Sequence, residues 1–283
     1  MNPEQFSNTP EDDGDSRTLT PLICEGLLPI ELPARQRTDL RDRLLRRVGD
    51  SVRRHSGLLT VRTGDGIWRT VKAGVRTKTL WKGPQGASLL IELAPGAMLP
   101  VHRHYHLEEG IVLRGGLQLG ALNLDPGDYH VSPPGSRHAR ITSRTGALAY
   151  LRGTSLGHTS SLFGELLGGL IPGNGPASHT VFAGEGDWHR IARGVEQKIL
   201  WRDGDVISRF FRLAAGAYLP AHAHHCEEEC IMLSGDAFFG DVLVQAGDFH
   251  LAPAGSEHGE VRSDHGALAF IRGREVQPCS PGR

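Results

Sequence analysis

The sequence is short of cysteine, of net charge and of long apolar runs, and each shortage excludes a class of protein. Its four cysteines (Cys24, Cys226, Cys230 and Cys279) are too few and too unevenly placed for a disulfide framework. No run of 18 apolar residues predicts a transmembrane helix. A formal net charge of -1 gives no support for attraction of the whole protein to nucleic acid or to a membrane. The start, MNPEQFSNTPEDDGDS, lacks the apolar core of a signal peptide, so we expect a cytoplasmic protein.

What the sequence does contain is an internal repeat. Shifted by 120 residues, positions 59–153 align with 179–273 without a gap, and 39 of the 95 positions are identical. Both tryptophans of the first repeat have a counterpart in the second. This pattern predicts a duplicated domain.

Each repeat has the pattern of an all-β domain. Segments such as SLLIELA, GIVLRG and DYHVSP are short, apolar or alternating, and end at Gly, Pro or Asp. Several such strands at close spacing predict a sandwich or barrel, a class that includes jelly rolls. The predicted organisation is a disordered tail over 1–33, an Arg-rich helix and linker over 34–58, a first β domain over 59–153, a linker over 154–178, a second β domain over 179–273 and a C-terminal tail over 274–283. Within the linker, SLFGELLGGLIP is apolar enough to pack as a short helix.

The Arg-rich segment predicts an amphipathic helix. Its apolar residues recur at helical spacing, at Leu40, Leu44, Leu45, Val48 and Val52, and arginines cover much of the remaining surface. One interpretation is a docking helix for an acidic partner or nucleic acid. The other, which we favour, is a helix that lies on the first β domain with its arginines in water.

Both repeats carry a histidine-rich motif with the spacing of a metal site. The first motif reads LPVHRHYHLEEGIVLRGG and the second LPAHAHHCEEECIMLSGD. Residues two apart on a strand share a face, so the two histidines of each H-x-H point the same way. A carboxylate follows four residues later, and a further histidine follows a Pro-x-Gly turn. Three neutral imidazoles and a carboxylate suit Fe(II), Zn, Mn, Ni or Cu better than Ca or Mg. The predicted metal ligands are His102, His104, Glu108 and His138 in the first repeat, and His222, His224, Glu228 and His258 in the second.

These paired motifs resemble those of the cupin superfamily. Gly96–Gly115 and Gly216–Gly235 fit the first cupin motif, G-x5-H-x-H-x3-E-x6-G. Gly127–His138 and Gly247–His258 fit the second, G-x5-P-x-G-x2-H, without the trailing Asn of the family. The resemblance implies a bicupin: two tandem jelly-roll (double-stranded β-helix) barrels after a short N-terminal helical segment. Each barrel would hold one transition metal ion inside, on the four predicted ligands.

Within the cupins, the ending PPGSRHARITSRTGALAYLRG is similar to that of the ChrR-like group. This group includes zinc-binding anti-sigma factors and relatives that act as non-haem iron oxygenases on diketones or aromatic ketones. LPARQRTDLRDRLLRRV resembles the helix that joins the anti-sigma domain to the cupin. Those anti-sigma domains carry an H-x3-C-x2-C zinc motif, whereas residues 1–54 hold no histidine and only Cys24. The resemblance therefore implies zinc or Fe(II) in the barrels, and a regulator without the N-terminal zinc motif.

Four further residues near the motifs have roles that the sequence leaves open. Glu109 and Glu229 could be bases beside the metal or alternative ligands, although the spacing to the following glycine favours the first glutamate of each pair. His130 and His250 recur in both repeats; they either line the cavity or point outward and form hydrogen bonds. The sequence assigns no catalytic residue.

Three functions fit these patterns. We favour a ChrR-like regulator or sensor whose N-terminal helix meets a sigma factor or another protein. The alternative is a non-haem metal-dependent dioxygenase for a diketone or aromatic ketone, with Ala97, Val112 and Leu148 lining an apolar cavity. The third is an isomerase or lyase that uses the metal as a Lewis acid. Cys226 and Cys230 could sense oxidants, although buried, inert thiols are the default. We expect a small molecule in the barrel cavity, no membrane partner and no nucleic acid, and we leave a homodimer open.

Overall fold

The computed structural model describes residues 31–156 and 175–274. Residues 1–30 of the predicted disordered tail, residues 275–283 of the predicted C-terminal tail, the short helix predicted within the linker, and two of the four cysteines, Cys24 and Cys279, lie outside the described residues. The chain divides into two compact units, Met1–Ser51 and Val52–Arg283. No helix among the described residues is long and apolar enough to cross a membrane.

The predicted amphipathic helix is present as α1, Ala34–Arg54. None of its residues is buried, and its apolar residues Leu40 to Val52 are 37% to 65% exposed. Its last turn carries Arg53 and Arg54, which complement the negative C-terminal end of the helix dipole. Whether the helix serves as a docking surface stays a prediction.

The first repeat folds into thirteen strands. Their bounds are β1 Leu59–Val61, β2 Trp68–Lys72, β3 Val75–Gly83, β4 Gly86–Leu93, β5 Met98–Leu99, β6 His102–Arg103, β7 Glu108–Gly115, β8 Leu117–Leu119, β9 Leu122–Leu124, β10 Tyr129–Ser132, β11 Arg137–His138, β12 Ile141–Thr142 and β13 Ala147–Thr154. The apolar run in β4 is buried along nearly its whole length. Such a run suits a strand that is covered on both faces, because neither set of alternating side chains then meets water.

The second repeat folds in the same way. Its strands are β14 His179–Val181, β15 His189–Ala192, β16 Val195–Asp203, β17 Val206–Leu213, β18 Tyr218–Leu219, β19 His222–Ala223, β20 Glu228–Phe239, β21 Val242–Gln245, β22 Phe249–Ala252, β23 Glu257–His258, β24 Val261–Arg262 and β25 Ala267–Arg274. The long strand β20 corresponds to β7 and β8 together. All pairings are antiparallel, and the prediction of an all-β chain with two tandem barrels is confirmed.

Each barrel is built from a large sheet and smaller ones. Barrel 1 has a seven-stranded sheet in the order β14-β10-β7-β13-β4-β3-β2, a four-stranded sheet β5-β12-β8-β9 and the pair β6-β11. Barrel 2 has the order β1-β22-β20-β25-β17-β16-β15, with β18, β21 and β24 attached through β20, and the pair β19-β23. The short pairs β6-β11 and β19-β23 contain histidines of the predicted metal sites.

The two barrels exchange their first strands. Strand β1 of the first repeat pairs with β22, with Thr60 opposite His250, and so joins barrel 2. Strand β14 of the second repeat pairs with β10, with Thr180 opposite His130, and so joins barrel 1. The repeat alignment assigns each strand to its own repeat in sequence, but the sheets cross over in space.

The outer faces of the two large sheets pack against each other. Their shared core joins Tyr129 and Tyr150 of the first repeat to Phe249 and Phe270 of the second, with ring centroids 5.9 to 6.3 Å apart. These distances are typical of favourable aromatic pairs. The inner faces form two separate cores, one in each barrel. The barrels are therefore joined by buried apolar surface as well as by the exchanged strands.

Candidate metal centres

Backbone pairing brings the two cupin-like motifs of each repeat together. In barrel 1, His102 lies opposite His138 in the β6-β11 pair, and His104 exchanges backbone hydrogen bonds with the Gly135–Ser136 turn. Gly135 has a φ of 82°, a left-handed conformation that favours glycine. The Pro-x-Gly-x-x-His motif thus makes the turn that places its histidine beside the H-x-H pair. The same pairing recurs in barrel 2.

In barrel 2, the four predicted ligands form one cluster. The candidate ligand atoms of His222, His224, Glu228 and His258 all lie within 4.8 Å of one another. Nε2 of His224 lies 3.1 Å from Nδ1 of His258, and its Nδ1 lies 3.9 Å from Oε1 of Glu228. This arrangement offers three imidazole nitrogens and one carboxylate to a single ion.

In barrel 1, the three histidines form the cluster and the carboxylate lies beside it. His102, His104 and His138 have ligand atoms within 4.8 Å of one another. Oε2 of Glu108 lies 3.7 Å from Nδ1 of His104, and its carboxyl group also forms a hydrogen bond with Thr154. The fourth ligand of this site therefore stays a prediction.

The histidine rings are held in the form that binds a metal. Nδ1 of His102 lies 3.0 Å from the carbonyl oxygen of Pro100, and Nδ1 of His222 lies 3.1 Å from that of Pro220. Because a carbonyl only accepts, each Nδ1 carries the proton and Nε2 keeps its lone pair. Metal-binding histidines usually make this hydrogen bond. Among the described residues, the buried Nδ1 of His138 has no hydrogen-bond partner, as expected for an atom that coordinates a metal ion.

Burial favours the uncharged forms of most of the candidate ligand side chains. It lowers the pKa of His258 to about 2 and that of His224 to about 4, with further lowering from neighbouring histidines. It also lowers the pKa of His138 well below 6.5. Burial raises the pKa of the Glu108 and Glu228 carboxyls, against the opposing effect of His102 and His222. Neutral imidazoles and a carboxyl group in a dry pocket form a donor set that suits a transition metal.

The second glutamate of each pair points away from the metal cluster. Side chains alternate along β7, so Glu108 faces the barrel interior while Glu109 faces the partner barrel. Glu109 accepts hydrogen bonds from Tyr129, at 2.6 Å, and from Ser208, and lies 3.3 Å from Arg272.

Glu229 has the matching environment in the second repeat. It accepts hydrogen bonds from Arg152, at 2.8 Å, from Tyr150, at 3.1 Å, and from Ser88. The geometry places this second pair of glutamates in the contact between the barrels, and it offers no support for a role as metal ligands.

The recurring histidines before the Pro-x-Gly turn bind the exchanged strands. Nδ1 of His130 lies 2.8 Å from Oγ1 of Thr180, and Nδ1 of His250 lies 2.8 Å from Oγ1 of Thr60. Nε2 of His250 lies 2.9 Å from Nε2 of His258. Each histidine therefore contacts a strand contributed by the other repeat. His130 also lines the barrel 1 cavity, so the first of the two sequence interpretations applies to it.

Two aspartates that the sequence analysis missed hold the exchanged strands. Asp128 accepts a hydrogen bond from the backbone of Ala183 at 2.7 Å. Asp248 accepts one from the backbone of Thr63 at 2.7 Å and lies 2.9 Å from Arg62. The repeated Gly-Asp-aromatic-His sequence was a signal for both residues, since it begins the second cupin motif of each repeat.

A cavity of about 350 Å³ opens onto the cluster of barrel 1. His102, Glu108 and His138 line it, and most of its wall is apolar. Of the residues expected to line an apolar cavity, Val112 does so. The expectation was wrong for Ala97, which is buried in the inner core, and for Leu148, which packs against the contact between the barrels.

The cysteines in the histidine-rich motif of the second repeat give little support to a redox role. Cys230 is buried, and burial raises the pKa of its thiol above the usual value, as does the charge of Glu228. A protonated, buried thiol reacts slowly with oxidants, since the thiolate is the nucleophile. Cys226 is partly exposed.

Comparison with known proteins agrees with this geometry. A family model described as the ChrR cupin-like domain matches residues 56–156 and again residues 177–277. The chain belongs to the ChrR cupin-like family. As a tandem member of that family, with a histidine cluster in each barrel, it is a metal-binding bicupin.

The solved structures that resemble this ChrR cupin-like chain share its fold. A presumed dioxygenase from Nostoc punctiforme is 16% identical, with a TM-score of 0.59 over 80% of this chain and 84% of its own. A deletion mutant of the oxalate decarboxylase of Bacillus subtilis is 20% identical, with a TM-score of 0.55 over 77% of each chain. Another structure of that decarboxylase, described by its Mn(II) centres, is 20% identical, with a TM-score of 0.54 over 77% of this chain and 78% of its own. Among curated proteins, none matches this sequence.

Proposed function

We propose that this ChrR cupin-like chain is a non-haem Fe(II) dioxygenase whose reaction takes place in barrel 1. The observation that carries the proposal is the apolar cavity of about 350 Å³ beside His102, Glu108 and His138. Binding sites for small molecules usually have a volume of about 300–1,000 Å³ and a mostly apolar wall with a few polar groups. A regulator that only held a structural zinc ion would have no need of such a space, since structural zinc sites are closed.

The cavity favours a substrate with an apolar body and one chelating end. Its wall includes Ile91, Leu99 and Val112, and the polar groups that line it include those of the histidine cluster. A 1,3-diketone or an aromatic ketone has this distribution of polarity. The two oxygens of a diketone could reach the metal while its apolar substituents stay against the wall.

For a 1,3-diketone, the proposed reaction takes up one O2 and breaks one carbon–carbon bond. R–CO–CH2–CO–R′ and O2 give R–COOH and R′–CO–CHO, so both oxygen atoms enter the products. When bound, Fe(II) supplies the coordination sites for substrate and O2 and the electrons that activate O2.

The chain's own residues hold the metal and keep water away. The hydrogen bond from Nδ1 of His102 to Pro100 fixes the ring that presents Nε2 to the cluster. In its ionised form, the carboxylate of Glu108, which accepts a hydrogen bond from Thr154, can take up the proton that a diketone loses on binding. The apolar wall excludes bulk water and so limits side reactions.

The test is oxygen uptake by protein loaded with Fe(II) under nitrogen. Benzoylacetone is added as substrate, and one O2 consumed for each diketone, with an aromatic acid or α-oxoaldehyde among the products, supports the proposal. His102→Ala and His138→Ala should abolish uptake, whereas the same change at the exposed His265 should leave it unchanged. Turnover without oxygen uptake would favour the isomerase or lyase. No turnover of any diketone or aromatic ketone in Fe(II)-loaded protein would overturn the dioxygenase.

A regulator is the second candidate, and helix α1 is the observation that favours it. Its apolar row from Leu40 to Val52 is exposed, and it lies next to a dense set of arginines. Exposed apolar surface of this kind often marks a contact with another protein. The partner would be an acidic surface of a sigma factor.

The regulator is tested by binding of purified sigma factors from the source organism. Titration calorimetry of the full chain is compared with that of a chain lacking residues 1–55. Binding that requires the N-terminal segment and changes on metal removal supports the regulator. Equal behaviour of the two chains contradicts a docking role for the helix.

A further inference from the structure

The two barrels have matching metal motifs but very different interiors. Barrel 1 encloses about 350 Å³ of space beside its histidine cluster, whereas the corresponding space in barrel 2 is about 30 Å³. A water molecule occupies about 30 Å³ in the liquid, so barrel 2 has room for little more than water. The two spaces are equivalent, because the same three residues of each cluster line them: the first histidine, the glutamate and the last histidine.

Side chains at equivalent positions differ between the two walls. A shift of 120 residues pairs many wall residues of barrel 1 with wall residues of barrel 2, and three of these pairs exchange a smaller apolar side chain for a larger one. The pairs are Ile91 with Phe211, Val112 with Met232, and Leu119 with Phe239. Two pairs run the other way, Leu117 with Ala237 and Ile141 with Val261, so the position of the larger side chains matters more than the total side-chain volume.

One of the bulky residues of barrel 2, Phe239, lies directly against its metal cluster. The ring of Phe239 lies 5.1 Å from that of His258 and 5.0 Å from that of His250, measured between centroids. In barrel 1 the equivalent residue, Leu119, is part of the cavity wall. Phe239 therefore covers the side of the cluster that the cavity leaves open in barrel 1.

A buried arginine occupies the rest of the barrel 2 interior. Arg209 is fully buried, and its guanidinium lies 4.9 Å from the ring centroid of Phe211 and donates to the carbonyl oxygen of Arg274 at 2.9 Å. It lines the same small space as Glu228. The equivalent residue in barrel 1 is Leu89. Its positive charge balances the negative charge of this carboxylate.

We propose that the two metal centres have divided roles: the centre of barrel 1 binds small chelating molecules, and that of barrel 2 is closed to them by Phe211, Met232 and Phe239 and holds its ion as part of the structure. The role of barrel 1 rests on the proposed function in one respect, namely that the ligand is a chelating carbonyl compound. The part concerning barrel 2 is independent of any reaction. The wall residues of barrel 1 are then the residues that determine ligand size.

The test counts ligands per metal ion. The full chain is loaded with Co(II) at both sites under nitrogen, and acetylacetone is titrated in while the visible absorption of Co(II) is followed. We expect one acetylacetone bound for every two Co(II) ions. Two acetylacetone molecules bound per chain would overturn the proposal. So would binding that is retained when larger side chains fill the cavity of barrel 1.

Reciprocal variants assign the site. Val112→Met with Leu119→Phe gives barrel 1 the side chains that barrel 2 already accommodates, and should weaken acetylacetone binding at least about tenfold with both Co(II) ions retained. Met232→Val with Phe239→Leu should open barrel 2 and raise the stoichiometry towards two. Near-ultraviolet circular dichroism and cobalt content check that each variant is folded.

If the second pair of changes prevents folding, the wild-type stoichiometry and the first pair still decide the proposal. One acetylacetone per chain that binds with unchanged affinity in the Val112→Met, Leu119→Phe variant would show that the roles are reversed. The result also separates this proposal from the proposed function. One acetylacetone per chain without oxygen uptake in Fe(II)-loaded protein would overturn the dioxygenase and leave the division of roles standing.

Discussion

Replacing Glu229 by leucine should destabilise the contact between the barrels strongly. Glu229 is 2% exposed and accepts hydrogen bonds from Arg152, Tyr150 and Ser88. The leucine variant leaves a buried guanidinium without its closest carboxylate and two hydroxyl groups without an acceptor. Removing one partner of a buried ion pair costs about 3–5 kcal/mol. Glu109 lies 4.0 Å from Nη1 of Arg152 and compensates in part, so we expect the lower end of this range.

At about 3 kcal/mol, the loss should lower the melting temperature by about 6–12 °C. Urea unfolding of the metal-loaded protein, followed by circular dichroism and tryptophan fluorescence, measures the change in free energy of unfolding. The matched control is Glu196→Leu, which breaks an exposed ion pair with Arg212 at 2.6 Å. Exposed pairs contribute at most about 1 kcal/mol, so this control should change little.

The double variant Arg152→Leu with Glu229→Leu distinguishes an ion pair from mere packing. Because it removes both charges, it should recover at least about 1 kcal/mol of the loss caused by Glu229→Leu alone. A loss below about 1 kcal/mol in the single variant would refute the reasoning. So would a double variant that is as unstable as the sum of the two single changes.

Four further predictions follow from the same structure. Metal-replete protein should bind close to two transition-metal ions per chain by elemental analysis, and a value near zero would contradict the ligand assignment. Glu108→Gln should weaken metal retention in barrel 1 at least about tenfold more than Glu109→Gln, which should lower stability instead; equal metal loss on dialysis would show the assignment to be wrong. Deleting residues 1–55 should leave both barrels folded and loaded with metal. Deleting residues 1–63 also removes β1, so barrel 2 should lose its metal and its cooperative unfolding. The same result for both truncations would contradict the strand exchange. Finally, the stability of the metal-free protein should fall as the pH drops from 7 to 5, because five buried histidines with a lowered pKa stay neutral in the folded protein but take up protons near pH 6.5 when unfolded. The free energy of unfolding should fall by up to about 1.4 kcal/mol for each group and pH unit. Urea midpoints that do not change with pH would refute this.

Residue spacing was enough to predict the fold class and to group the histidines. Strand alternation requires His102 and His104 to share a face, and the Pro-x-Gly turn brings His138 opposite them. The same alternation separates Glu108 from Glu109. These are local constraints, set within a few residues by backbone geometry, and they appear directly in the sequence.

The sequence could not reveal which barrel each first strand joins. The alignment pairs Thr60 with Thr180, and each forms a hydrogen bond with the equivalent histidine. The alignment contains no information about whether each threonine stays with the barrel of its own repeat. Either arrangement satisfies the same backbone hydrogen bonds. The packing of the two large sheets decides between them, and with it the roles of His130 and His250.

By itself, then, the sequence determined the duplication, the all-β fold and the register of the metal motifs, since each follows from periodicity along the chain. Only the tertiary structure decided that Glu109 and Glu229 join the barrels and that one barrel is open while the other is filled. A cavity is the space left by side chains from many strands, so no single motif encodes it. The exchange of Val112 for Met232 or Leu119 for Phe239 reads as ordinary drift in an alignment. In the folded barrels these residues line a space of about 350 Å³ in one case and of about 30 Å³ in the other.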